Sequence, residues 1–230
     1  MQGILGFGMA LIAISFFLII LQSGEAVQIL IVMNLVITIG LAGAVWSQVD
    51  RALWGRLVMG AFLGFPVGLW VFSNADIGQL RIGVAVTILV FVAVTVLWKP
   101  SGNEGSAGRF RTPSALAVGA VAGALTASLG MPGPPVVLYL TGLGVGKTAT
   151  RAIALSFFVI ALGATLVLQV ATVGVGASVW MSAGVLLPVA GVGSYVGSGL
   201  SKRISEAAFR TATLAVVAAT GVYALIDVLF

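Results

Sequence analysis

Apolar runs close to twenty residues long recur along the chain, divided by short polar stretches. Residues 3–21 form the first, about 28 Å of helix at ~1.5 Å per residue. Residues 27–47 form the second, with Asn34 and Thr38 inside it. Further runs cover 53–72 and 78–98. The turns between them are short: Ser23-Gly24-Glu25, Gln48-Val49-Asp50-Arg51 and Ser73-Asn74-Ala75-Asp76, the last rich in helix-capping residues. Residues 99–113 are the long polar stretch and read as a linker between halves. Beyond it, residues 114–129 make only about 24 Å of helix, short of a hydrocarbon core of roughly 30 Å. Residues 148–172, 178–200 and 206–229 are long enough again, with Pro188 inside the second of them. The pattern predicts an all-α polytopic membrane protein.

The short run ends in Gly130-Met131-Pro132-Gly133-Pro134-Pro135. Three prolines and two glycines in six residues cannot continue a helix, because proline lacks a donor and clashes with the turn before it. A helix broken inside a bilayer leaves bare backbone groups. They are tolerated only where the break is buried in protein or lines a watery cavity. The helix that restarts near Pro134 presents free N–H groups and a positive dipole end, an arrangement suited to an anion. A packing kink is the plainer alternative. The density of breakers favours a functional interruption of the kind that marks transporter sites.

Composition supports the membrane reading. Of 230 residues, 60% are hydrophobic and 7% charged, and mean hydropathy is +1.20. Soluble domains carry about 25% charged residues. The formal charge of +5 does not indicate a nucleic-acid partner, since basic residues here read as topology signals. With no Cys and no His, disulfides, thiol chemistry, His or Cys metal sites and His acid–base catalysis are unavailable. No cofactor is expected. No basic residues precede the first apolar run, so a cleavable signal peptide is not expected either.

The two halves align on each other. Gly8 meets Gly130, Asn34 meets Ser156 and Pro66 meets Pro188 at one spacing, and Arg81 meets Arg210 after a short insertion. This supports a duplicated unit: residues 1–98 as repeat 1, lacking most of its leading half-helix, 99–113 as a cytoplasmic linker, and 114–230 as repeat 2. Charge then orients the copies. If every segment crossed, the basic residues would divide five against six. If the segment broken at Gly130 dips in and returns, ten share one side and Arg81 stands alone. Each half then has a broken segment plus three crossings, and the odd number inverts the second copy. The linker faces the cytoplasm and the C-terminus lies outside.

The stretch GMPGPPVVLYL, followed by a polar turn and a helix with Ala154-Leu155-Ser156, resembles the second-repeat hallmark of the TauE/SafE sulfite exporter family. Gly6 to Met9 resembles its first-repeat counterpart. The chain departs from the family pattern at Met9, Ala10 and Pro132, where glycines are usual. The resemblance implies a bacterial inner-membrane carrier that exports sulfite, sulfoacetate or a related organosulfonate. On that reading the substrate sits at mid-membrane between the two broken segments, held by Gly6, Gly8, Gly130, Met131 and Gly133 with Asn34 and Ser156 adding side-chain donors. The backbone donors expected there are the N–H groups of Gly130, Met131 and Gly133.

The remaining intramembrane polar residues are Thr38, Ser128, Tyr139, Thr141, Thr165, Gln169, Ser194 and Tyr195. Taken singly, a helical Ser or Thr is expected to bond its own turn's carbonyl. Rows of small residues, Gly60, Gly64 and Gly68, then Ala190, Ser194 and Ser198, read as helix-packing surfaces. No acidic residue lies deep in a segment, so a carboxylate proton relay is not expected. A channel or carrier for another small anion is the nearest alternative. An intramembrane enzyme has no buried carboxylate pair to use, and a structural subunit would not need a broken helix. The partners expected are a small anion and the lipid bilayer, and a homodimer stays open.

Overall fold

The computed structural model describes residues 8–43, 45–97 and 111–201. Gly6, most of the linker, Lys202, Arg203, Arg210 and the last expected helix lie outside the described residues, as do the side chains of Ser194 and Ser198. Eight α-helices are described: α1 Gly8–Leu21, α2 Glu25–Ala42, α3 Arg51–Asn74, α4 Ile77–Leu97, α5 Arg111–Leu129, α6 Gly133–Gly142, α7 Lys147–Thr172 and α8 Ala177–Ser201, with a 3-10 turn at Trp46–Gln48. Among them α2, α3, α4 and α7 are long and apolar enough to cross a membrane.

Two boundaries differ from the sequence expectation. The second helix stops at Ala42 instead of running to 47, because Gly40 and Gly43 weaken its end. The chain then makes the 3-10 turn, and Trp46 lies edge-on to Trp54 at 6.2 Å between centroids. The fifth helix starts at Arg111, not at 114. Pro113 falls in its first turn, where a missing donor costs nothing. The helix has 19 residues, but its apolar part remains Ser114–Leu129, shorter than a membrane span, as the sequence predicts.

Local capping sets the other ends. The Asp50 carboxylate accepts from the Ala52 and Leu53 N–H groups and starts α3. Asp76 and Gln79 accept from each other's backbone N–H and start α4.

Helix directions follow from the contacts. Gln28 Nε2 donates to the Gly174 carbonyl at 2.9 Å, and Leu35 lies beside Gly163, so α2 and α7 run antiparallel. Gly60, Gly64 and Gly68 of α3 meet Leu116, Ala120 and Ala124 of α5 in turn, so α3 and α5 run parallel. Short turns reverse α3 into α4. Arg51, Arg56, Arg111, Lys147 and Arg151 therefore belong to helix starts at one end of the bundle, and Arg81 to the other.

The α3–α5 seam is the tightest in the described residues. A Cβ added at Gly60, Gly64 or Gly68 would run into the carbonyl oxygen of Leu116, Ala120 or Ala124. Gly119 and Gly123 of α5 stand in the same relation to Leu57 and Ala61. The glycine row of the sequence is a packing surface, and it lets two backbones touch. Met59, Phe62, Leu63, Val67 and Trp70, on the rest of α3, are 56–70% exposed, as apolar side chains facing lipid are.

Candidate functional site

The break lies between α5 and α6 and is enclosed by protein. Every residue from Thr126 to Pro134 is buried, which is the condition for interrupting a helix inside a bilayer. Gly130 takes φ +69°, a left-handed conformation open to glycine, and the chain reverses there. The Ser114 and Tyr139 hydroxyls then meet at 3.1 Å. A continuous helix would hold those residues about 37 Å apart. Thus α6 folds back beside α5.

Three carbonyls in the last turns of α5 find partners outside the helix. Thr126 accepts from the Gly130 N–H at 2.9 Å, and Leu125 from the Met131 N–H at 3.2 Å. Ala127 accepts from Gln169 Nε2 at 3.2 Å, a side chain of α7. This corrects one expectation. The Gly130 and Met131 N–H groups are not presented to a ligand; they close the helix above, because carbonyls left bare in a membrane interior would be costly. Pro134 and Pro135 carry no donor. Of the first three positions of α6, Gly133 alone has an N–H.

Around this turn the other candidates take different places. A Cβ placed on Gly130 would sit 3.3 Å from Ile31, 3.6 Å from Leu30 and 3.7 Å from Val27, so α2 covers the break. Asn34 is one turn further along the same face of α2 and is buried. Ser156 is buried on α7, and its hydroxyl donates to the Ala152 carbonyl at 2.6 Å. Gly133 is three residues from Gly130, which packs on Ile31, so on the α2–α7 register it lies nearer the Arg81 end of the bundle than Ser156 does. On the α2–α7 register, Asn34 lies nearer the Arg81 end of the bundle than Ser156 does, by about 12 Å or more.

Gly8 begins α1 and is as far from the turn 22–24 as Thr38, so the start of α1 lies level with Thr38, about one turn before the end of α2. Helix α4 packs against both α1 and α6. A cleft of about 640 Å³ opens at the Arg81 end, lined by Ser23, Glu25, Gln28, Ser73 and Gly174 among others. Its lining stops short of the break.

Arg81 ties the end of α1 in place. Its Nη2 donates to the Leu18 carbonyl at 2.9 Å, in the last turn of that helix, where the dipole favours a cation. Replacing Arg81 by Gln should cost about 1.5–3 kcal/mol, the worth of a charged hydrogen bond. Thermal unfolding in detergent measures it, and Arg81→Lys should recover part of the loss.

The family model described as "Sulfite exporter TauE/SafE" matches residues 1–224, nearly the whole chain. The chain belongs to the TauE/SafE sulfite exporter family. No curated protein and no solved structure matches it. TauE/SafE is a transporter family, not an enzyme family, and membership implies a multi-pass membrane transporter of sulfite-like anions. In this TauE/SafE chain the GMPGPP motif is the reversal between α5 and α6. Its first glycine turns the chain, and its second begins α6 with a backbone donor.

Gln169 was not singled out from the sequence. A glutamine deep in an apolar helix is the signal, but its partner Ala127 is 42 residues away and only packing brings the two together.

Proposed function

We propose that this protein exports sulfite, or a related organosulfonate anion, across the inner membrane, through a site at mid-depth where the starts of α1 and α6 face each other. Gly133 supplies the backbone donor, Gly130 and Met131 shape the turn above it, Gly6 and Gly8 form the opposite wall, and Asn34 and Ser156 border the site from α2 and α7. The observation that carries this reading is the buried reversal at Gly130, with a helix start and its positive dipole end enclosed by protein. An anion held by neutral donors has no countercharge to detain it. In a cell that is negative inside, export of one charge gains about 2.3 kcal/mol per 100 mV. The acidic residues Glu25, Asp50 and Asp76 are exposed at helix starts, so among the described residues no buried carboxylate is placed to relay protons.

Support for inverted repeats comes from α2 and α7, the first full helices of the two halves, which run antiparallel. It also comes from the five basic residues that the starts of α3, α5 and α7 place at one end. On this reading that end is cytoplasmic, together with the linker 99–113, and the C-terminus is outside. A cysteine at Ser106 is the single thiol of the chain and should be labelled only after the membrane is permeabilised. Labelling in intact cells would reverse the topology.

The functional test is sulfite flux in proteoliposomes. Wild type should transport, and Gly133→Leu should abolish flux while the protein still purifies as folded. Ser156→Ala should change flux less, since that hydroxyl is already spent on Ala152. Wild-type flux from Gly133→Leu would place the site elsewhere and leave the break as a packing device.

A further inference from the structure

Helical hydroxyls in this protein ordinarily bond the carbonyl four residues back. Thr87, Thr95, Thr126, Ser128, Ser156 and Thr172 all do so, at 2.6–2.7 Å. Thr38 and Thr165 do not. Both are fully buried, and neither hydroxyl has a hydrogen-bond partner among the described residues. The same holds for Oε1 of Gln169, also fully buried. The Gln169 amide cannot be turned over, because its nitrogen must face the Ala127 carbonyl, an acceptor. Buried polar groups are nearly always paired, so three orphans in one region call for a reason.

Helix geometry directs them to one place. Val27, Ile31, Asn34 and Thr38 are spaced four, three and four residues apart and form one stripe of α2. Val27 and Ile31 at the top of that stripe cover Gly130. The chain doubles back there, Met131 reaching down to Leu125, so Thr38 faces the depth at which Gly133 starts α6. On α7, Thr165 and Gln169 share a face at i and i+4. Gln169 reaches Ala127 at the end of α5, and α7 runs parallel to α5, so Thr165 lies about one turn below Ala127 on the inner side. The contacts Gln28–Gly174 and Leu35–Gly163 fix the register of α2 on α7 and put Thr38 and Thr165 within about one turn of each other in depth.

We propose that Thr38, Thr165 and Gln169 form the side-chain half of the anion site, and that the anion it takes still carries one proton, as bisulfite does. This rests on the transport reading above. Two hydroxyls donate to the oxyanion, with the Gly133 N–H as a third donor. Oε1 can only accept, and the hydrogen it needs comes from the ligand. A fully ionised oxyanion such as sulfate brings none and turns an acceptor toward an acceptor.

The test is thermal unfolding of the purified full chain with sulfite or sulfate, in wild type, Thr38→Val and Thr165→Val, with Thr→Ser at each position as the rescue. Valine keeps the shape and removes an unpaired hydroxyl. Without anion, both valine variants should therefore melt at or above the wild-type temperature. With sulfite at neutral pH, wild type should be stabilised and each valine variant should need about tenfold more sulfite or lose the shift, a charged hydrogen bond being worth that much. The serine variants should recover it. Sulfate should stabilise wild type far less than sulfite. Valine variants with the wild-type sulfite response would overturn the assignment of the threonines. An equal response to sulfate would overturn the requirement for a proton. A wild type that neither responds to sulfite nor transports it would instead sink the proposed function.

Discussion

Replacing Gly64 by leucine should prevent α3 and α5 from packing and leave little folded protein. A Cβ at this position would overlap the Ala120 carbonyl oxygen and lie 2.8 Å from Ala124 N. Overpacked side chains can often shift at a cost of about 1–3 kcal/mol. Here the obstacle is backbone, held by its own helical hydrogen bonds, so the helices themselves must separate. Gly60 and Gly68 lie one turn to either side in equal contact, and Gly119 and Gly123 close the seam from the other helix. Opening it at one turn strains the rest, and a cost of about 3 kcal/mol or more is expected. Gly55 is the control: it lies on the same helix, and a Cβ there meets nothing within 4 Å. Gly55→Ala should stabilise α3 by about 0.5–1 kcal/mol. The monodisperse fraction after detergent extraction and the melting temperature measure both. A Gly64→Leu protein that extracts and melts like wild type would show that the helices do not touch in this way.

Gly130→Val should abolish sulfite flux. A β-branched residue at φ +69° is strained by about 1–3 kcal/mol, and its Cβ would press on Ile31 at 3.3 Å. The chain can escape only by giving up the reversal, and with it the bonds from Gly130 and Met131 to the end of α5. The start of α6 would then move away from its depth in the bundle. The effect should be graded by the ease of the left-handed conformation. Asn, which visits it readily, should keep most of the flux and stability; Ala should lose much, and Val nearly all. Equal flux from Asn and Val variants, at equal protein levels, would mean that the left-handed turn does not set the site.

Much of the fold is legible in the sequence. Segment lengths and mean hydropathy located the spans, because a bilayer imposes a minimum length and forbids charge. The Asp76 start was readable as a cap. The break at Gly130 was readable because proline and glycine act through their own backbones. The glycine row at 60, 64 and 68 announced a close approach, since its four-residue spacing puts all three on one helix face.

What those letters could not carry was the identity of the partners. That the glycine row meets α5 at Leu116, Ala120 and Ala124 is a matter of register between helices some sixty residues apart. That the Gly130 and Met131 donors turn inward to α5, and Gln169 supplies the third bond, follows from which carbonyls packing leaves bare. Ser156 and Thr165 look alike as single hydroxyls in one apolar helix. The first bonds its own turn and the second faces the interior of the bundle. Local sequence governs where a helix begins, ends and breaks, because those events involve backbone groups a few residues apart. Which buried polar atom finds a partner depends on the surface another helix brings to it, and that is settled only when the helices pack.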